Sequence, residues 1–221
     1  PVPDGFMTQS IAELGEHFEG DILLTERQKQ ELFDVMTEGR TGLLNPRYRW
    51  PENIIYYEYA DEIDADQRAL IDHALQNMTD HTCLTFVERT TETDYVYVTN
   101  SNSGCYATLG RIGGRQSLNL GTGCMHFGIV VHEFIHSLGF HHSQTAFTRN
   151  DYVIIKWENI QPGTEHNFVL MDRTTSTMYD LPYDTDSLMH YGSTAFSMNG
   201  EPTIIPREEG IILGQRNTMS P

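Results

Sequence analysis

The spacing of hydrophobic and polar side chains divides the middle of the chain into strands and a buried helix. Residues Tyr95 to Thr99 alternate valine with tyrosine or threonine, which is the period-two pattern of a half-buried strand. Runs of β-branched and aromatic residues at Asn53 to Tyr59 and at Leu84 to Thr90 predict two further strands. Ser117 to Leu120 predicts a short strand, and Met125 to Leu138 is apolar on most sides, which indicates a buried helix.

An amphipathic helix is predicted between the first two of these strands. Asp64 is a suitable capping residue, and the helix is expected to continue to about Met78. Its inner face is predicted to carry Ala69, Leu70, His73, Ala74 and Leu75. A strand, a helix and a strand in this order suggest a crossover unit. Gly104 to Gly114 lacks the strand–turn–helix frame of a dinucleotide site, so we interpret it as a turn between strands.

Both ends of the chain differ from this middle part. Residues 1–40 form an acidic lead-in with two capping-box signatures, which predict two short helices, the first of them ending at His17. The signatures are Ser10 with Glu13 and Thr25 with Gln28. After His142 the periodicity fades, and only Tyr152 to Trp157 indicates a strand or a helical turn. The pattern as a whole predicts an α+β fold whose C-terminal half is largely irregular.

Composition limits the possible partners and the compartment. The formal net charge of −17 argues against nucleic acid and anionic membrane surfaces as partners. No apolar run is long enough to span a membrane, and the first residues lack the features of a signal peptide, so any secretion signal is expected to have been removed. The three cysteines do not have metal-site spacing, which favours disulfides. Asn77 begins a glycosylation sequon, consistent with an extracellular protein.

The buried helix carries the chemistry. His132 and His136 are four residues apart and share one helix face, so both imidazoles can bind one metal ion, with Glu133 beside it. Gly139 can adopt the left-handed conformation that ends a helix, which would return His142 to the same ion as a third ligand. Three protein ligands leave an open position, as in catalytic rather than structural zinc sites. This extended pattern is the metzincin signature.

Two residues compete with His142 for the third ligand position. His141 is adjacent, but the pattern places the ligand three residues after Gly139, so His141 is expected to be an exposed neighbour. Glu158 would suit a thermolysin-like protein, but the acidic pattern of that class is missing around it.

With the zinc motif in place, Ser187-Leu188-Met189-His190-Tyr191 resembles the methionine turn of metzincins. The two motifs together resemble the astacin family of zinc metalloendopeptidases, over nearly the whole chain. The resemblance implies two lobes separated by a cleft: an upper lobe of about 41–139, with a twisted mixed sheet and two long helices, and an irregular lower lobe of about 140–221.

The resemblance also assigns roles to single residues. It implies that one zinc ion is bound by His132, His136 and His142, and that Glu133 is the general base. Met189 matches the methionine that packs under the zinc, and Tyr191 matches the tyrosine that can ligate zinc at rest and then stabilise the oxyanion.

The lead-in gains a meaning from the same comparison. Phe18-Glu19-Gly20-Asp21 fits the Phe-x-Gly-Asp motif of astacin-like zymogens, whose aspartate occupies the open zinc position. Taken alone, Arg40 beside Gly39 would be only a linker. The resemblance places the mature start near Thr41, which implies an inhibitory pro-segment at 1–40, a catalytic domain at 41–221 and cleavage after Arg40 by a trypsin-like protease. The chain would then be a secreted proenzyme.

Three features depart from the family pattern. Ser143 stands where astacins usually have the glutamate that holds the new N-terminus, so this anchoring is in question. The family commonly has four cysteines in this domain; the resemblance implies that Cys105 pairs with Cys124 and that the partner of Cys83 lies beyond Pro221. Arg207 is a candidate for the basic residue by which many members favour acidic substrate residues. A zinc-binding protein with a dead active site is the alternative of another class, against which Glu133 and Tyr191 argue.

Overall fold

The computed structural model describes residues 17–38, 45–101, 104–171 and 181–220. Its strands are β1 (Ile22–Leu23), β2 (Ile54–Tyr59), β3 (Thr85–Glu88), β4 (Tyr95–Thr99), β5 (Cys105–Thr108), β6 (Arg115–Leu120), β7 (Val153–Ile155) and β8 (Ile204–Pro206). Its α-helices are α1 (Glu26–Glu38), α2 (Ala65–His81) and α3 (Phe127–Ser137). The predicted α+β fold is confirmed.

Within the described residues, β1 to β6 form one sheet in the order β1-β5-β6-β4-β2-β3. All neighbouring strands are parallel except β5 and β6. β2 and β3 are parallel neighbours joined through α2, so the predicted crossover is confirmed. The sheet places β5 and β1 at one edge, and the N-terminal strand β1 is the outermost.

The main hydrophobic core lies between this sheet and the helices α2 and α3. The buried face of α2 is formed by Ile71, Ala74, Leu75 and Met78, which follow the i, i+3, i+4, i+7 spacing of one helix face. The predicted inner face was therefore partly wrong. Ala69 and His73 are exposed, because the sheet contacts α2 along a stripe rotated from the one that we inferred.

The glycine-rich stretch was also interpreted incorrectly. Residues Cys105–Thr108 form a strand inside it, hydrogen-bonded to β6 on one side and to β1 on the other. Only the part after Leu109 is a turn, in which Gly110, Gly113 and Gly114 have positive φ angles. Tertiary pairing on both sides stabilises a strand that the local glycine content does not indicate.

The C-terminal half is largely irregular, as predicted. β7 and β8 form an antiparallel pair, so the segment after Tyr152 contains a strand, followed by a 3₁₀ turn at Trp157–Asn159. A second hydrophobic cluster, which includes Phe168, Tyr191 and Ile204, stabilises this half. The other 3₁₀ turns are Pro46–Tyr48, Pro51–Asn53, Ser143–Thr145, Arg149–Asp151 and Glu165–Phe168.

The N-terminal segment is packed onto the sheet. The predicted capping box of α1 is confirmed, since Thr25 N–H donates to Gln28 Oε1 and Gln28 N–H donates to Thr25 Oγ1. Ile22 and Leu24 pack with Leu109 in a third cluster, which Phe18 and Leu32 partly cover. The helix predicted from Ser10 lies outside the described residues except for its last residue, His17, which pairs with Gly20 in a β-bridge, so the predicted end of that helix was wrong.

A disulfide joins β5 to the loop before α3. Cys105 and Cys124 are bonded, with Cα atoms 5.7 Å apart, as the sequence resemblance implied. Cys83 is an exposed free cysteine in the part of the chain that the structure describes. Asn77 is half-buried on α2, and its glycosylation stays a prediction.

We expect Cys105→Ala with Cys124→Ala to lower the free energy of unfolding by about 3 kcal/mol, because closing a loop of this length restricts the unfolded chain. The two cysteines are 19 residues apart. Guanidinium denaturation monitored by circular dichroism measures the change. Cys83→Ala is the matched control, since Cys83 is exposed and unbonded. An equal loss of stability in both variants would contradict the prediction.

Candidate metal centre

The centre begins on α3, where His132 and His136 occupy successive turns of one face. Trp50 donates a hydrogen bond from Nε1 to the carbonyl oxygen of Ser137 at 2.8 Å. This bond attaches the C-terminal end of α3 to the segment that precedes β2. Gly139 has a φ of 104°, a left-handed conformation that few other residues adopt. The chain therefore turns back directly after α3, and His142 reaches the same point as the two helical histidines.

Four buried side chains converge there: Asp21, His132, His136 and His142. The Nε2 atom of His132 is 3.1 Å from that of His136 and 3.2 Å from that of His142. The Asp21 carboxylate oxygens are 3.1 to 3.3 Å from the same three nitrogens. A regular tetrahedron with metal–nitrogen bonds of about 2.0 Å has edges of about 3.3 Å, so these spacings match a tetrahedral zinc site.

The outer ring nitrogens of His132 and His136 establish which of their atoms face the centre. Nδ1 of His132 lies 2.8 Å from the carbonyl oxygen of Leu188, and Nδ1 of His136 lies 2.7 Å from that of Phe140. A carbonyl oxygen only accepts, so both Nδ1 atoms carry the proton and both neutral rings point an Nε2 lone pair inward. Lone pairs this close together repel one another unless a cation binds them. The donor set therefore fits zinc, with the outer contacts that orient metal-binding histidines.

Asp21 reaches the centre because β1 pairs with the sheet edge. Its main-chain carbonyl accepts a hydrogen bond from Ala107 N–H at 2.9 Å, which fixes the residue at the start of β1. Burial acts to raise the pKa of Asp21, but the facing histidines, above all the charge of His142, hold it well below its usual range. The fourth tetrahedral position is thus taken by an ionised carboxylate from the N-terminal segment.

Burial also affects the titration of the histidines. It lowers the pKa of His132 to about 3 and lowers that of His136, so both rings are neutral, as metal ligands must be. For His142 burial acts in the same direction, but the carboxylates of Asp21 and Glu19 outweigh it and raise its pKa to about 9. A cation at the centre competes with a proton for Nε2 of this residue.

Glu133 is fully buried on the same helix. Neither of its carboxylate oxygens has a hydrogen-bond partner within the described part of the chain. Burial, reinforced by the negative charge of Asp21, raises the pKa of Glu133 well above its usual range. A buried carboxyl group without a partner is costly, and groups whose pKa is perturbed in this way are concentrated at functional sites.

Tyr191 lies on the other side of His142, with ring centroids 4.6 Å apart. Its hydroxyl donates to the main-chain carbonyl oxygen of Glu19 at 2.7 Å. Met189 is buried, and its carbonyl accepts a hydrogen bond from Ser143 N–H at 2.8 Å, so the predicted methionine turn is tied to the residue after the third histidine.

The structure corrects the expectation for His141. This side chain is only 8% exposed, because Phe18 and Glu19 of the N-terminal segment cover it. Its Nδ1 atom lies 3.5 Å from Glu19 Oε1, and it does not belong to the group of metal-binding side chains.

Two charged residues near the centre were missed by the sequence analysis. Glu19 occupies the variable position of the Phe-x-Gly-Asp motif, yet it is buried and bonded to His142. Arg216 lies close enough for its charge to contribute to the lowered pKa of His132 and to oppose the rise in the pKa of Glu133. Neither had a local signal, since both reach the site from distant parts of the chain. Arg207, the predicted basic residue, instead lines a cavity of about 480 Å³ beside β7, with Nε donating to Asn150.

Some expectations concern residues that the structure does not describe. Arg40 and Thr41, the predicted cleavage site, lie outside the described residues. Among the helices that are described, none combines the length and the apolar character required to cross a bilayer.

Comparison of the chain with known proteins identifies its family. The sequence profile of the family described as Astacin (Peptidase family M12A) matches residues 43–221. Zinc metalloproteinase nas-4 of Caenorhabditis elegans is 34% identical over 215 residues, which are 96% of this chain and 68% of that protein. Meprin A subunit beta of Mus musculus is 36% identical over 225 residues, 98% of this chain but 30% of that protein.

Zinc metalloproteinase nas-15 of Caenorhabditis elegans is 36% identical over 93% of this chain, which spans 38% of its length. The chain thus covers only about a third of some of its curated relatives. Among solved structures, high choriolytic enzyme 1, a hatching enzyme zinc-protease from Oryzias latipes, superposes with a TM-score of 0.72. It is 40% identical, and the match covers 78% of this chain and 86% of that one. The chain therefore belongs to the astacin family of zinc metalloproteases, peptidase family M12A.

Proposed function

We propose that this chain is the latent form of a secreted zinc endopeptidase. The observation that carries the proposal is the position of Asp21, whose carboxylate lies 3.1 to 3.3 Å from the Nε2 atoms of three histidines. His132, His136 and His142 would hold the zinc ion, and Asp21 would take the place that a catalytic site leaves open for water. Substrate is then excluded until the segment that carries Asp21 is removed.

The contacts of the N-terminal segment support an inhibitory pro-segment at 1–40. β1 adds a strand to the sheet edge, and Gln28 Nε2 donates to the carbonyl oxygen of Leu109 at 2.7 Å. Glu31 accepts a hydrogen bond from Tyr48 at 2.7 Å. The described residues of the segment pack at the sheet edge and over the metal centre, and none of them belongs to the main hydrophobic core, so the segment can leave after cleavage without opening that core. Arg40 followed by Thr41 is the proposed cleavage site, and residues 41–221 the catalytic domain with its two lobes.

Zinc bound by the three histidines supplies Lewis acidity, which acidifies water and polarises a carbonyl group. Glu133 is the proposed general base, which accepts a proton from the attacking water and passes it to the leaving amine. Among the described residues no hydrogen-bond donor competes for either of its carboxylate oxygens. Tyr191 is proposed to stabilise the charge that develops on the substrate carbonyl oxygen. In the latent form its hydroxyl already donates to a peptide carbonyl, that of Glu19.

The proposal is tested by proteolysis of a denatured protein substrate. Four samples are compared: the intact chain and the trypsin-treated chain, each with and without a zinc chelator, with trypsin quenched by its inhibitor before the assay. We expect activity only after treatment and only without chelator, with a new N-terminus at Thr41. Activity of the intact chain would refute latency. A treated, zinc-loaded chain without activity would support the alternative of a dead active site.

The basic residue that favours acidic substrates is proposed to be Arg216 rather than Arg207. The Nη1 atom of Arg216 donates to the carbonyl oxygen of His190, next to Tyr191, at 3.0 Å. Its charge acts on Glu133, whereas Arg207 is exposed beside β7. We expect Arg216→Gln to lower kcat/KM for a peptide with aspartate after the scissile bond about tenfold relative to one with alanine, as for loss of a charged partner worth about 1.4 kcal/mol. Arg207→Gln, which removes an exposed guanidinium, should leave this ratio unchanged. Because both peptides are assayed with the same enzyme, a general loss of folded protein affects both values equally and does not change their ratio. A change confined to Arg207→Gln would reverse the assignment.

A further inference from the structure

Glu19 makes contacts that the latency proposal does not require. Its Oε2 atom accepts hydrogen bonds from both the main-chain N–H and Nδ1 of His142, at 3.1 and 3.0 Å. The side chain is 1% exposed, two residues before the aspartate that fills the centre. It thus holds the third proposed zinc ligand at two points of the same residue.

Glu19 makes these contacts with its backbone in a strained conformation. Its φ is 48°, in the left-handed region that residues other than glycine rarely adopt. Strain of this kind persists where the surroundings fix the residue, and it often marks a functional position. Here two hydrogen bonds hold the carboxylate, and Tyr191 holds the main-chain carbonyl. The side chain of residue 19 therefore has a specific partner rather than a filling role.

The three histidines differ in the partner of the outer ring nitrogen, and only that of His142 comes from the N-terminal segment. Nδ1 of His132 and of His136 donate to main-chain carbonyls of Leu188 and Phe140, which belong to the proposed catalytic domain. Nδ1 of His142 instead faces a carboxylate from the proposed pro-segment. A carboxylate in this place fixes the ring orientation and makes Nε2 a stronger donor to a metal.

We propose that Glu19 is a positioning residue for the third zinc ligand and that it acts only before cleavage, so that activation removes an outer partner of the metal site together with Asp21. The inference rests on the proposed function. The charge balance of the site supports the proposed role of Glu19. Zinc would carry two positive charges into a buried site whose three imidazole ligands are neutral when they bind it. Asp21 and Glu19 together supply two negative charges there. The latent form is then expected to hold its metal more tightly than Asp21 alone would achieve.

The test is the rate at which the uncut, zinc-loaded chain loses zinc to a chromogenic chelator. Loss of an outer-shell partner of a ligand histidine lowers metal affinity about 10- to 100-fold, so Glu19→Ala should accelerate zinc loss by up to this factor. Glu19→Gln keeps an accepting oxygen and should show a smaller change. Glu19→Gly relieves the backbone strain but removes the carboxylate, so it should behave like Glu19→Ala. Glu26→Ala, an exposed residue of the same segment, is the matched control.

Two comparisons distinguish a direct action of Glu19 on His142 from an indirect one through Asp21. In an Asp21→Ala background, Glu19→Ala should still accelerate zinc loss, because the contact is with His142; disappearance of the effect there would show that Glu19 merely places Asp21. After trypsin treatment all Glu19 variants should release zinc at the rate of the treated wild type, because residue 19 has been removed. Equal rates in the uncut Glu19→Ala and wild-type chains would overturn the inference. Failure of trypsin to release the segment would refute the proposed function, while the comparison of uncut chains would still decide the role of Glu19.

Discussion

Replacing Glu133 with glutamine is expected to lower kcat of the trypsin-treated enzyme about 10²- to 10⁴-fold, the usual contribution of a general acid–base group. Glutamine has nearly the same shape but cannot accept and return a proton at neutral pH. The carboxyl group is buried and makes no hydrogen bond within the described residues, so the substitution should leave stability nearly unchanged. The measurement is kcat for a fluorogenic peptide, with zinc content and melting temperature determined in parallel.

Glu158→Gln is the matched control for this prediction. Glu158 is exposed and pairs only weakly with Lys156, at 3.3 Å. The same change of chemistry at that position should leave kcat within about twofold of the wild type, as for other exposed ion pairs. A Glu133→Gln enzyme that retained more than a tenth of the wild-type kcat with full zinc occupancy would exclude Glu133 as the base.

Replacing Asp21 with asparagine should make the uncut chain active. The carboxylate is completely buried against three histidines, and loss of a buried charged partner weakens such a contact by a few kcal/mol. We therefore expect peptide hydrolysis by the uncut chain to rise on the order of 10²-fold, toward the level of the trypsin-treated enzyme. Asp21→Ala, which also removes the side-chain bulk, should have at least the same effect.

The control for Asp21 is again a residue of the N-terminal segment that faces solvent. Glu26→Gln removes one exposed charge and should leave the uncut chain latent. Trypsin-treated Asp21→Asn should match treated wild type, because position 21 is then absent. If the uncut Asp21→Asn chain stayed inactive while its treated form was fully active, latency would depend on the rest of the segment rather than on the carboxylate.

Much of the fold was predictable because its signals are local. Tyr95 to Thr99 forms a strand with the predicted bounds, and the predicted capping residues Thr25 and Asp64 both precede helices. The failures share one physical cause. Cys105–Thr108 is a strand because it has partners on two sides, and His141 is covered because Phe18 and Glu19 pack over it. Contacts between residues far apart in the chain leave no periodic pattern in either segment.

The sequence by itself determined the three histidines and the acid, because a helix repeat and a glycine turn place His132, His136 and His142 together wherever α3 forms. It also indicated Asp21, but only through a motif shared with zymogens. The tertiary structure alone decided that this carboxylate lies 3.1 to 3.3 Å from all three rings. It alone brought Glu19 to His142, 123 residues away, through pairing of β1 with the sheet edge. It alone also brought Arg216 close to Glu133, because the C-terminal segment folds back over α3 across about eighty residues.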